Sequence, residues 1–181
     1  NLRRKDTIPT TAKEEEIHYQ LWKNFGGIPE GSLPHPDEGG ARDTLNIDLI
    51  TFEDATSATQ ALVTEGDVIG IEAKTDSGLE DARLRDQLSN YVQSRCLSKL
   101  YLAVPHGSGE KAKQKLSNLD FDNAASIGIL ELRNGNIAVQ TEPSDLLHEY
   151  DAYGSQEYPN YVGFGNSYIP HPEAPVSISR N

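Results

Sequence analysis

The chain has 181 residues, 36% of them hydrophobic and 24% charged, with a formal net charge of -12. That length suits one domain with a real core and would crowd two, no apolar run approaches a membrane span, and the acidity excludes indiscriminate nucleic-acid binding by the whole surface. The single cysteine, Cys96, excludes an internal disulfide framework, a Cys-rich zinc site and a four-Cys iron–sulfur cluster built by this chain alone, so a cytoplasmic location is the expectation.

Residues 1–12 read as a flexible entry or linker with no signal-peptide pattern, and the absence of any Met, a first one included, points to a portion of a longer product. From Lys13 to Phe25 the apolar residues Ile17, Leu21 and Phe25 recur every four positions and Gly26-Gly27 follows, which predicts a helix and its stop. Glu14 and His18 share the face of Leu21 and Phe25. Glu14 is therefore the acid of the first turn best placed to look inward, while His18 reads as a packed or surface histidine.

Gly26 to Gly40, rich in Gly and Pro, reads as a loop. Thr44 to Phe52 reads as a strand, with Asp48 as an anomaly among Leu45, Ile47, Leu49 and Ile50. An acid inside an apolar strand is costly unless it is paired, solvated or bound to a cation. Glu53 to Thr64 reads as a connection with a short strand at Ala61 to Thr64, and Glu65-Gly66 as a turn.

The next apolar strand, Val68 onward, ends in Glu72-Ala73-Lys74, where period-two alternation puts Glu72 and Lys74 on the same side of the sheet. The plain alternative is an ion pair at a strand end. Ser77-Gly78-Leu79-Glu80 has the spacing of a capping box and predicts a helix start. Leu84, Leu88 and Val92 supply that helix's apolar stripe, with Gln87 and Tyr91 one turn apart beside it.

Leu100 to Val104 reads as a buried strand, about Gly109 to Leu116 as a lysine-bearing helix, and Ser126 to Leu132 with Asn136 to Gln140 as a hairpin around Asn134-Gly135. Between Arg83 and Lys115 the basic residues Arg83, Arg85, Arg95, Lys99, Lys111, Lys113 and Lys115 face only Asp86 and Glu110, so this segment is locally basic in an acidic chain. A local basic surface is what phosphate contact requires. A short helix is expected at Ser144 to Tyr150, and the Tyr-, Gly- and Pro-rich residues 143–181 read as an arm that packs on the domain or on a partner.

An acid in one strand, a glutamate and lysine in the next, and a helix then a strand follow one another here. This order resembles the PD-(D/E)XK nuclease superfamily over roughly Lys13 to Val104, although Asn46-Ile47 precedes the acid and the family's proline is missing. Gln87-Leu88-Ser89-Asn90-Tyr91 looks like the Gln-xxx-Tyr signature of the RecB-like branch, and Glu14 with Ile17 and Leu21 matches the spacing of the superfamily's first helix.

The resemblance implies an α/β fold with a restriction-endonuclease-like core, a central mixed sheet flanked by helices, over residues 13–142. It implies a metal-dependent nuclease hydrolysing phosphodiester bonds of DNA, with RNA as the other candidate. Asp48, Glu72, Lys74, Gln87 and Tyr91 would be the catalytic set, and Asp48, Glu72, the Ala73 carbonyl and Glu14 the ligands of Mg²⁺ or Mn²⁺. Two carboxylates suit such oxygen-seeking cations on chemical grounds too. Asp43 is the second choice for the strand acid. The C-terminal arm is the candidate contact for a homodimer or a larger complex, and the other class of function is a catalytically idle nuclease-fold module that binds nucleic acid or a protein.

Overall fold

The computed structural model describes residues 13–36, 44–52, 68–133 and 136–147. Six strands form one mixed sheet in sequence order: β1 (Ile28–Pro34), β2 (Thr44–Phe52), β3 (Val68–Ala73), β4 (Lys99–Pro105), β5 (Gly128–Arg133) and β6 (Asn136–Thr141). The β3/β4 and β4/β5 pairs are parallel and the other three antiparallel. Parallel neighbours need a crossover, and the helices α2 (Leu84–Gln93) and α3 (Gly109–Ser117) supply it on either side of β4.

Burial explains the layers. All six residues of β3 are buried, as expected of a strand covered on both faces. On one face Ile17 and Leu21 of α1 (Glu14–Phe25) pack with Leu49, Ile69, Ile71, Ala73, Ala103, Leu130 and Leu132. On the other, Leu84, Leu88, Tyr91 and Val92 of α2 and Ala112 and Leu116 of α3 pack with Ile47, Ile50, Val68, Leu100, Leu102 and Val104. The expected stripe of α2 is thus the buried one, and the mixed sheet flanked by helices is as expected.

Three expectations are corrected. The Gly/Pro-rich stretch after α1 contains β1, which pairs with β2 from Ile28↔Ile50 to Pro34↔Thr44. Its only sheet neighbour among the described residues is β2, and an edge strand tolerates proline because one side of its backbone needs no ladder. The Ser77–Glu80 segment forms a single 3-10 turn rather than the start of the helix. Thr75 Oγ1, not a Ser77 cap, accepts the Gly78 N–H at 2.9 Å, and the chain is extended at Asp81 before α2 begins. Ser144 to Leu147 are not helical. Instead, Ser144 and Leu146 donate their N–H groups to the Ser126 and Ser98 carbonyls, at 2.9 and 2.8 Å, and Leu146 is buried in the core.

The expectations for residues 1–12, Asp43, 53–66, Asn134-Gly135 and 148–181 concern positions outside the described residues. α1 stops where expected, with Gly26 and Gly27 at φ 62° and 97°. A side chain at Gly27 would also collide with the Ile50 carbonyl.

Gly70 in the middle of β3 leaves room for two core side chains. A Cβ there would lie 2.6 Å from Leu97 Cδ1 and 2.7 Å from Ile47 Cδ1. Overpacking of this kind costs about 1–3 kcal/mol. Gly70→Ala is expected to lower the urea midpoint accordingly, and an unchanged midpoint would show that Leu97 and Ile47 move aside without cost.

Candidate metal and acid site

The β2–β3 ladder runs from Phe52↔Val68 to Leu49↔Ile71 and stops. The next pair in that register is Asp48 with Glu72. Beyond the stop the two side chains take over the backbone's work: Asp48 Oδ2 accepts the Ala73 N–H at 2.7 Å, and Glu72 Oε1 receives the Asp48 N–H at a long 3.4 Å. Two carboxylates are thereby held side by side at the point where the strands part.

Glu72 is almost fully buried, at 2% exposure, between three partners. Lys74 Nζ lies 3.4 Å from its Oε2, so the expected shared side of the sheet is observed. The Tyr91 hydroxyl on α2 is within hydrogen-bond distance of both Glu72 Oε2, at 3.1 Å, and the Asn46 carbonyl, at 2.7 Å. With one hydrogen it can serve one of them at a time. Gln87, one turn earlier, acts to lower the Tyr91 pKa against the tyrosine's burial, so the glutamine's link to the acids runs through the tyrosine.

Asp48 also faces α1. His18 Nε2 lies 3.1 Å from Asp48 Oδ1 and 3.7 Å from Glu14 Oε1. The proximity is that of an ion pair, but the alignment is not that of a hydrogen bond, and Nε2 is a buried atom without a hydrogen-bond partner. Glu14, His18 and Asp48 each offer a ligand atom, all within 4.8 Å of one another. His18, expected to be a packed or surface histidine, is the addition to the expected set; its spacing of four from Glu14 is the signal the sequence offers.

The proposed ligands therefore divide. Glu14 and Asp48 stand together, with His18 added. Glu72 adjoins Asp48 but has both oxygens in contact with groups of the chain itself, and what is observed of Ala73 is its N–H bond to Asp48. The donor set of two carboxylates and an imidazole fits a divalent cation, and the imidazole favours a transition ion such as Mn²⁺ over Mg²⁺.

Basic residues expected to meet phosphate are engaged within the chain. Lys111 Nζ lies 3.2 Å from Asp76 Oδ2 and 3.3 Å from Glu80 Oε1, Lys115 Nζ lies 2.6 Å from Glu80 Oε2, and Arg83 pairs with Asp81 at 2.9 Å. These exposed pairs fasten the 3-10 turn to α3 more than they stabilise the whole, since such pairs are weak in water.

No model of a known protein family matches the sequence, and no curated protein matches it. A solved structure, the SPO1766 protein of unknown function from Silicibacter pomeroyi, is similar at a TM-score of 0.45 and 12% identity, over 83% of this chain and 86% of that one. A likeness of that degree says nothing about activity.

Electrostatics tie the two acids together. Burial, then the Asp48 charge, push the Glu72 pKa well above its ordinary value, against the pull of Lys74. Burial also acts to raise Asp48, but His18, Glu72 and the Ala73 N–H together outweigh it and the net shift is downward. His18 is raised, chiefly by its contact with Asp48 and against its own burial. Burial and the Glu72 charge raise Tyr91, which stays a protonated donor.

A carboxyl with a raised folded pKa stabilises fully below its unfolded value, here 4.5, and that contribution is lost as pH rises through the folded value. His18 acts in the same sense above 6.5, whereas the Asp48 contribution is present above 3.8 and is lost only as pH falls through its depressed value. In EDTA, the melting temperature should therefore fall between about pH 5 and about pH 8. Glu72→Gln should flatten much of that fall; a variant as pH-sensitive as the wild type would show that Glu72 ionises normally.

Proposed function

We propose that this chain is a metal-dependent nuclease with a restriction-endonuclease-like core, hydrolysing phosphodiester bonds of DNA. The observation that carries this reading is the meeting of Asp48, Glu72 and Lys74 where β2 and β3 part, with Glu14 and His18 closing on Asp48 from α1. Charge in a phosphodiester's transition state gathers on the phosphoryl oxygens, so catalysis needs a cation and an oriented nucleophile.

A divalent cation held by Glu14, His18 and Asp48 would neutralise that charge. The roles left to the chain are positional. Lys74, fixed by Glu72, presents an ammonium at the acid pair, where it would meet the charge that gathers on the phosphoryl oxygens. Tyr91 braces Glu72, and Gln87 braces Tyr91.

The test is cleavage of single-stranded, duplex and branched DNA, and of RNA, with Mg²⁺ and with Mn²⁺. Lys74→Ala is expected to slow cleavage by about 10²-fold or more through loss of that ammonium. Equal cleavage by wild type and variant would sink the assignment.

A second reading, an idle nuclease-fold module that binds nucleic acid or a protein partner, is favoured by one observation. Both Glu72 oxygens are already in contact with groups of the chain, leaving less for a cation. Calorimetry with Mn²⁺ separates the two: a nuclease should bind the ion and lose affinity in His18→Ala, while no binding by the wild type favours the module.

A further inference from the structure

A pocket of about 170 Å³ between α1, β1 and β2 shares His18 and Asp48 with the acid site and adds Trp22, Pro29 and Glu30 to them. We propose that it takes one unpaired nucleobase of the substrate strand, stacked on Trp22 with its amino edge on Glu30. The proposal rests on the nuclease reading for the identity of the strand, and on the pocket itself for the base.

Size, shape and charge converge. A dry cavity of about 150 Å³ holds a benzene ring, so the volume suits a single flat ring. Trp22 and Pro29 line the pocket with Leu21 and Leu49. Trp22 is 37% exposed at the pocket, so part of its ring is open for a base to stack on.

The polar members select which end of a nucleotide enters. Glu30, outside the cation's ligand set, repels a phosphate, but a carboxylate accepts the amino hydrogens of a base such as cytosine. Glu30 occupies the position opposite Asp48, between the pairs Pro29↔Leu49 and Gly31↔Ile47. It holds a φ of 50°, uncommon for a residue with a side chain, and strain of this kind gathers at ligand clamps. A base inside a duplex is stacked on its neighbours and cannot reach such a pocket until it is unpaired. The inferred substrate is thus single-stranded or frayed.

Trp22 is the chain's sole tryptophan, so its fluorescence reports on the pocket without any need for cleavage. In EDTA the wild type is titrated with oligo-dC, oligo-dT, an abasic strand of equal length and a blunt duplex. Oligo-dC is expected to quench Trp22 at concentrations about tenfold below oligo-dT, the abasic strand and the duplex should leave it unquenched, and Glu30→Gln should bring oligo-dC and oligo-dT together. With Mg²⁺ or Mn²⁺ present, Trp22→Ala should raise KM for single strands about tenfold and change kcat less.

Base-dependent quenching without cleavage in any metal supports the pocket and defeats the nuclease reading. Cleavage without base-dependent quenching does the reverse. Quenching by the abasic strand as strong as by oligo-dC, or quenching by a short arginine peptide in place of the oligonucleotides, overturns the proposal, the latter by making the pocket a cation site for a protein partner.

Discussion

The contact on which the site depends is the crossing of Asp48 and Glu72 at the end of the β2–β3 ladder. A backbone N–H that loses its strand partner must find another acceptor or pay for burial, and the Asp48 carboxylate meets the Ala73 N–H at 2.7 Å. That bond fixes one acid, and the fixed acid raises the free energy of ionising the other. Two carboxylates this close in a buried place cannot both carry charge cheaply, so the site holds either a proton or a cation. The lysine at Glu72 and the histidine at Asp48 each offset part of that repulsion from opposite sides.

The helices serve this contact from the two faces of the sheet. α2 is anchored by Leu84, Leu88 and Val92, and its Tyr91 reaches Glu72 on β3 and the Asn46 carbonyl on β2. α1 is anchored by Ile17 and Leu21, which leaves Glu14 and His18 over Asp48. One strand acid thereby belongs to two environments, an inner one with Glu72 and an outer one with α1 and the pocket. The outer one is partly open to solvent, with Glu14 the most exposed of its three side chains; the inner one is closed by Tyr91 and Lys74.

Electrostatics elsewhere give the surface a different emphasis from the one its local charge suggests. Lys111 and Lys115 of α3 pair with Asp76 and Glu80, so two cations of the locally basic segment hold the turn after Lys74 against α3. This keeps Lys74 at the head of a braced segment.

The sequence by itself determined the elements whose periodicity is strong: α1 with its Gly26-Gly27 stop, β2 and β3, the stripe of α2, the buried β4 and the β5–β6 hairpin. It also determined that Asp48 and Glu72 needed an explanation, because an acid among apolar strand residues is costly wherever it lies. Only the tertiary structure decided three things. The Pro- and Gly-rich β1 became a strand because β2 offered it an edge, which local propensity cannot foresee. The Ser77–Glu80 box closed on Thr75 as a turn, since capping depends on which oxygen reaches which N–H. His18 joined the acids because α1 docks with that face on the sheet, and docking is set by Ile17 and Leu21 packing on strand residues from Leu49 to Leu132, far along the chain.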